Sequence, residues 1–128
     1  MSGVRAVGLD HVVIMSADVE RSLRFYVDQL GLEPVRVEEY LLGEVFFPSV
    51  RIDATTILDI FPAAPDGKNV DHLCLVVADV DLQAVADSGE FDVVGGPSEL
   101  FGAQGTGIGL YVRDPDGLVV ELRHYRTA

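Results

Sequence analysis

Residues 8–15 place His11, Val13 and Met15 on one face and Val12 and Ile14 on the other, a pattern that predicts a strand. Asp18 then stands as the cap of a helix over about 19–30. In it Val19, Leu23, Tyr26, Val27 and Leu30 recur at three-and-four spacing before Gly31 stops it. Three more strands are predicted at Pro34 to Tyr40, Glu44 to Pro48 and Ala54 to Phe61, with turn signals at Leu42-Gly43 and Pro48-Ser49. The order is βαβββ. Residues 62–69, with two prolines and a glycine, read as a linker. Beyond them the order returns more briefly: a strand at 70–77, a short helix from about 80 to 88 ending at Gly89, and a strand near Phe91 to Val94 broken by Gly95-Gly96-Pro97. Two last strands, Thr106 to Arg113 and Leu118 to Tyr125, are joined by a type I turn at Asp114-Pro115-Asp116-Gly117. Four glycines between Phe101 and Gly109 predict either a flexible lid or a set of turns.

The two halves are related by more than pattern. Shifted by 61 positions, Asp10, His11, Ala17, Asp18 and Val19 fall on Asp71, His72, Ala78, Asp79 and Val80. This is an internal duplication. The chain therefore reads as α+β, one domain over residues 1–128 made of two tandem βαβββ modules, about 8–61 and about 70–126, around the 62–69 linker.

Composition narrows the function classes. With 9 basic against 21 acidic residues and a formal net charge of -12, the chain repels phosphate backbones, so nucleic acid is not an expected partner. Its acidity suits a solvated surface or a cationic ligand. Cys74 is the only cysteine, which precludes an internal disulfide and suits a reducing cytoplasm, the expected location. No apolar run approaches membrane-spanning length, and residues 1–5 lack a signal-peptide core.

Each module opens with a histidine in an apolar strand and closes with an acid in another, Asp59 in Ile57-Leu58-Asp59-Ile60-Phe61 and Glu121 in Val119-Val120-Glu121-Leu122. The spacing from histidine to acid is 48 in the first copy and 49 in the second. Ionised carboxylates on mostly apolar faces are costly unless a positive charge compensates. A divalent cation would do so, and imidazole with carboxylate suits zinc, nickel, iron(II), manganese or cobalt. His11, His72 and Glu121 are the foremost candidate ligands. Arg123 shares a face with Glu121 and is read as neutralising that carboxylate, binding an anionic substrate, or projecting past the sheet edge. Phe61 and Tyr125 are candidate cavity walls or core residues. His124 points away from Glu121 and has no assigned role, and Cys74 is read as a small buried hydrophobe.

The paired Asp-His strands, Arg21-Ser22-Leu23-Arg24-Phe25-Tyr26 followed by Leu30-Gly31-Leu32, and Asp114 through Leu122 resemble the vicinal oxygen chelate superfamily. That superfamily includes glyoxalases, extradiol dioxygenases and bleomycin-binding proteins. The run from Phe101 to Gly117 looks most like its small single-domain glyoxalase-like members. The resemblance implies a curved, partly open mixed sheet around a metal and substrate cleft, with helices on its outer face. It also implies a metal set of His11, His72 and Glu121. Asp59 stands where glyoxalases carry Glu or Gln, and its shorter side chain is read as a direct ligand, a water-mediated one or a nearby base. Tyr111, ten residues before Glu121, matches a tyrosine that assists substrate binding in extradiol dioxygenases.

What the resemblance implies for function is a metal-dependent enzyme of isomerase or lyase type. It would chelate vicinal oxygens of a small substrate and stabilise an enediolate-like anion, with Glu121 or Asp59 moving a proton. The alternatives are an iron(II) extradiol-type dioxygenase and a non-catalytic, bleomycin-resistance-type drug binder. A homodimer is expected, in part because a long exposed strand such as 54–61 would gain from burial.

Overall fold

In the computed structural model, which describes residues 3–113, 115 and 117–125, the strand that carries His11 is β1 (Ala6–Ser16). Residues 11–71 make one compact unit, and residues 3–10 with 72–125 make a second.

In the 11–71 unit the Asp18 carboxylate accepts the Arg21 N–H (3.1 Å) and starts α1 (Val19–Leu23), which continues as a π-helical stretch, Arg24–Gln29. Then come β2 (Glu33–Val35), α2 (Val37–Leu41), β3 (Ser49–Asp53) and β4 (Thr56–Pro62). The sheet order is β2-β3-β4-β1, with β1 parallel to β4 and the other pairs antiparallel. Two predicted strands are corrected here. Of Pro34 to Tyr40, only the start is extended; Arg36 adopts a left-handed φ of 57° and α2 follows. Val37, Tyr40 and Leu41 are spaced at i, i+3 and i+4, a helical period with Glu38 and Glu39 between them. Glu44 to Pro48 is a loop, and the strand begins at Ser49, where a turn was expected. Nor is 54–61 an exposed edge, because β4 lies between β3 and β1.

The second unit contains β5 (Val70–Val77, from His72 onward), α3 (Leu82–Asp87), β6 (Asp92–Gly102), β7 (Gly105–Arg113) and β8 (Val119–His124). Asp81 caps α3 by accepting the Gln83 and Ala84 N–H groups at 3.0 and 3.2 Å. The order β5-β8-β7-β6, with β5 parallel to β8, repeats the first module strand for strand. Gly95-Gly96-Pro97 does not end β6. The strand absorbs it through register shifts against β7 and runs on to Gly102. Of the two readings of 101–109, the turn is what forms, a tight hairpin with Gly102 paired to Gly105. In the expected turn at 114–117, Asp114 and Asp116 lie outside the described residues.

In both modules one sheet face packs against the helix, and the other carries the histidine and the acid. In the first, Ile14, Leu58, Ile60 and Val50 pack against Val19, Leu23, Tyr26 and Val27 of the helix. In the second, Val77, Leu110, Val112 and Leu122 pack against Leu82 and Val85. Strand alternation sends the intervening residues, the histidines and acids among them, to the opposite face. Among the described residues no helix is long and apolar enough to cross a membrane.

Candidate metal and substrate site

Parallel register brings each acid to its histidine. Val13 is opposite Asp59 and Cys74 is opposite Glu121, so in both modules the acid stands beside the residue two beyond the histidine, on the same face. His11 Nε2 lies 3.7 Å from Asp59 Oδ2, and His72 Nε2 lies 3.4 Å from Glu121 Oε1. Two ligands held about 2.1 Å from one ion at about 110° stand roughly 3.4 Å apart. The His72–Glu121 pair meets that spacing, and the His11–Asp59 pair is slightly wider. Buried imidazole and carboxylate also form a donor set suited to a divalent first-row metal.

In each carboxylate the second oxygen is held by another donor. Ser49 is opposite Asp59 across β3 and β4, and its hydroxyl donates to Oδ1 at 2.6 Å. Glu121 Oε2 receives Arg123 Nε and Nη2, both at 2.8 Å. Arg123 is fully buried and also donates to the Leu100 and Phe101 carbonyls at 2.8 and 3.0 Å. Four of the five guanidinium N–H groups are thereby engaged. Of the three roles expected for Arg123, the structure supports neutralisation of Glu121, and the side chain neither passes the sheet edge nor stays open to a substrate. Burial acts to lower the Arg123 pKa, but the charge of Glu121, the Cys74 and Tyr125 groups and the hydrogen bond to Glu121 together outweigh it and hold the guanidinium above its ordinary value.

Tyr111 pairs with Glu121 across β7 and β8, and its ring meets His72 edge-on at 5.4 Å. Burial, and next the Glu121 charge, push its phenol well above the ordinary range, so it stays a neutral hydrogen-bond donor. Phe61 shares the face of Asp59, with Phe46 and Phe47 ring centres at 5.0 and 5.8 Å. Cys74 is buried. His124 faces away, with Nδ1 3.5 Å from Asp79 Oδ1.

Sequence reasoning missed several supporting groups. Ser49 sat in an expected turn. Asp10 is fully buried and accepts the Ala103 N–H (3.0 Å) and the Tyr125 hydroxyl. Its repetition as Asp71 was the available signal. The glycines read as a lid or as turns also make room: a Cβ on Gly109 would meet Glu121 Oε2 at 2.8 Å, and one on Gly102 would collide with Tyr125 and Arg123.

Comparison with known proteins agrees with this architecture. The model of the Glyoxalase/Bleomycin resistance protein/Dioxygenase superfamily matches residues 8–122, and the chain belongs to that superfamily. The chain is similar to virulence protein STM3117 of Salmonella typhimurium, at 27% identity over 91% of this chain and 83% of the relative. It is also similar to a probable lactoylglutathione lyase of Synechocystis, at 28% identity over 88% of this chain and 91% of the relative. Among solved structures, the Mn(II)-bound glyoxalase of Novosphingobium aromaticivorans matches 98% of this chain and 43% of its own, with a TM-score of 0.66 and 23% identity. That likeness is one of fold.

Proposed function

From membership of that superfamily we propose that the protein is a divalent-metal-dependent, glyoxalase-like enzyme of isomerase or lyase type, in which His11, His72 and Glu121 hold the cation. The observation that carries this reading is the pair of buried carboxylates, each with one oxygen held by a donor and the other turned to an imidazole. Such outer partners fix ligand orientation and charge. The Mn(II)-bound glyoxalase and the lactoylglutathione lyase relative support the choice of metal and of reaction class.

A divalent cation bound there supplies Lewis acidity to two neighbouring substrate oxygens. The chain's own groups divide the remaining work. Arg123 commits the charge of Glu121, so Glu121 acts as a fixed ligand. Asp59 Oδ1 accepts the neutral Ser49 hydroxyl. Its Oδ2 is therefore the proposed carrier of the proton removed from one substrate carbon and returned to the next. Tyr111, kept protonated, donates to an anionic oxygen, and Phe61 adds an apolar wall beside Asp59.

Elemental analysis of the protein as isolated, with His11→Ala and His72→Ala beside it, tests the metal site. The expected result is about one divalent ion per chain, lost in both variants. No metal, and no uptake on reconstitution, overturns the reading in favour of a binding protein. Iron as the native metal, with oxygen consumption on catechols, would instead assign ring cleavage. We further propose that the protein acts as a homodimer, which sedimentation velocity would test.

A further inference from the structure

We propose that Tyr125 and Asp10 are positioning residues: they brace Arg123 against the tip of the β6–β7 hairpin and, through it, set the Glu121 carboxylate. The proposal rests on the metal-site reading, because it deepens the account of Glu121 as a ligand.

All of these residues lie within the second unit. On β7 the alternate positions Gly105, Gly107 and Gly109 share the face of Tyr111, so the sheet there offers bare backbone. Arg123 and Tyr125 lie over it. Arg123 is opposite Gly109, and its guanidinium reaches past β7 to the Leu100 and Phe101 carbonyls of β6, while Nε and Nη2 hold Glu121 Oε2. The Tyr125 ring comes within 3.1 Å of where a Cβ on Gly107 would stand, and the Arg123 guanidinium carbon sits 5.5 Å over that ring.

The far end of the ring is tied in turn. The Tyr125 hydroxyl donates to Asp10 Oδ1 and accepts the Gln104 N–H at 3.3 Å, and Asp10 Oδ2 accepts the Ala103 N–H at 3.0 Å. Ala103 and Gln104 are the two residues that turn the chain between β6 and β7. The hairpin is thus held by its carbonyls through Arg123 and by its N–H groups through Asp10 and Tyr125. Asp10 is fully buried, so its carboxylate is solvated by protein donors rather than by water.

The fold does not require this brace. Glu121 is followed two and four residues later by Arg123 and Tyr125, whereas Asp59 is followed at the same spacings by Phe61 and Ala63. The strand order is nonetheless the same in both modules. A scaffold that forms without the brace in one copy and carries it in the other places its purpose at Glu121. An arginine fork fixes the orientation of a carboxylate only where the arginine is itself held.

The test reads the arginine directly. In metal-free full-length protein the Arg123 Nε–H, followed by heteronuclear NMR, is expected to exchange slowly with water, because it is buried against Glu121. Tyr125→Phe, which keeps the ring and deletes the hydroxyl, and Asp10→Asn should each speed that exchange about tenfold while the backbone amides of β7 and β8 keep their protection. Mn(II) affinity should fall roughly threefold to tenfold in both variants. A double-mutant cycle isolates the route: in an Arg123→Lys background, which keeps the charge but loses the fork, Tyr125→Phe should weaken Mn(II) little further. Additive losses overturn action through Arg123. Wild-type exchange of the Arg123 signal in both variants overturns the brace itself, and an equal loss of protection across β7 and β8 would reduce the role to folding. Failure of the metal reading is separable: the wild type would take up no Mn(II), while the Arg123 exchange rates in metal-free protein would still decide the brace.

Discussion

The two modules answer the same electrostatic problem in different ways. Each buries a carboxylate beside an imidazole at an equivalent register. In the second, Glu121 is neutralised by a fully buried arginine that is itself tied to two carbonyls. In the first, Asp59 accepts a neutral hydroxyl, from Ser49, on the strand that also carries Phe61. The same duplicated scaffold thus holds one acid bonded directly to a buried arginine and one bonded to a serine hydroxyl. The repeat supplies equivalent positions, and residues 49 and 123 give each acid a different partner.

This contrast can be broken in graded steps. The largest effect is expected from Arg123→Met, which strands Glu121 in the interior; loss of one partner of a buried ion pair costs about 3–5 kcal/mol. Urea unfolding reads it, and Arg123→Met/Glu121→Gln should recover part of the loss, whereas an unchanged midpoint in the single variant would contradict the neutralising role. Next comes Gly109→Ala, whose Cβ would press on Glu121 Oε2. About 1–3 kcal/mol is expected, while Gly8→Ala, with open space around it, should be near neutral by the same assay.

Ser49→Ala removes the one hydroxyl on Asp59 and should cost about 1–2 kcal/mol, less than Arg123→Met, with proton-exchange activity falling further than metal content. Equal losses from both variants would erase the distinction between the modules. Arg36→Gly and Arg36→Ala remove the same guanidinium but differ in tolerance of φ 57°. The glycine variant should be the more stable by roughly 1 kcal/mol; reversal of that order would show that the backbone carries no strain.

The smallest effect concerns alkaline pH. Burial, and then the hydrogen bond to Asp10, raise the Tyr125 phenol above its ordinary value of about 10. A raised folded-state value means that this stabilisation is complete below about pH 10 and is lost as the pH climbs from there toward the folded-state value. The fall in melting temperature above pH 10 should therefore be shallower in Tyr125→Phe than in the wild type.

Much of this was legible in the sequence because it rests on local periodicity. The βαβββ order, the repeat at 61 positions, the helix cap at Asp18 and the strand faces of His11, His72, Asp59 and Glu121 all follow from alternation and spacing along short stretches. Residues 34–48 misled because short, mixed stretches of apolar and polar residues fit strand and helix alike, and Val37 to Leu41 is a helix that follows the left-handed Arg36. The glycines at 102–109 read as flexible because the bodies of Tyr125, Arg123 and Glu121 that they accommodate lie far along the chain.

What the chain alone determined is which residues share a face and how far each acid follows its histidine, since both are properties of backbone geometry within one strand. What only the tertiary structure decided is who stands across from whom: Ser49 on Asp59, Tyr111 and Arg123 on Glu121, Asp10 under Tyr125, Arg36 over Phe47. Those pairings are set by strand register and loop path, which depend on packing summed over the whole sheet rather than on any short stretch of sequence.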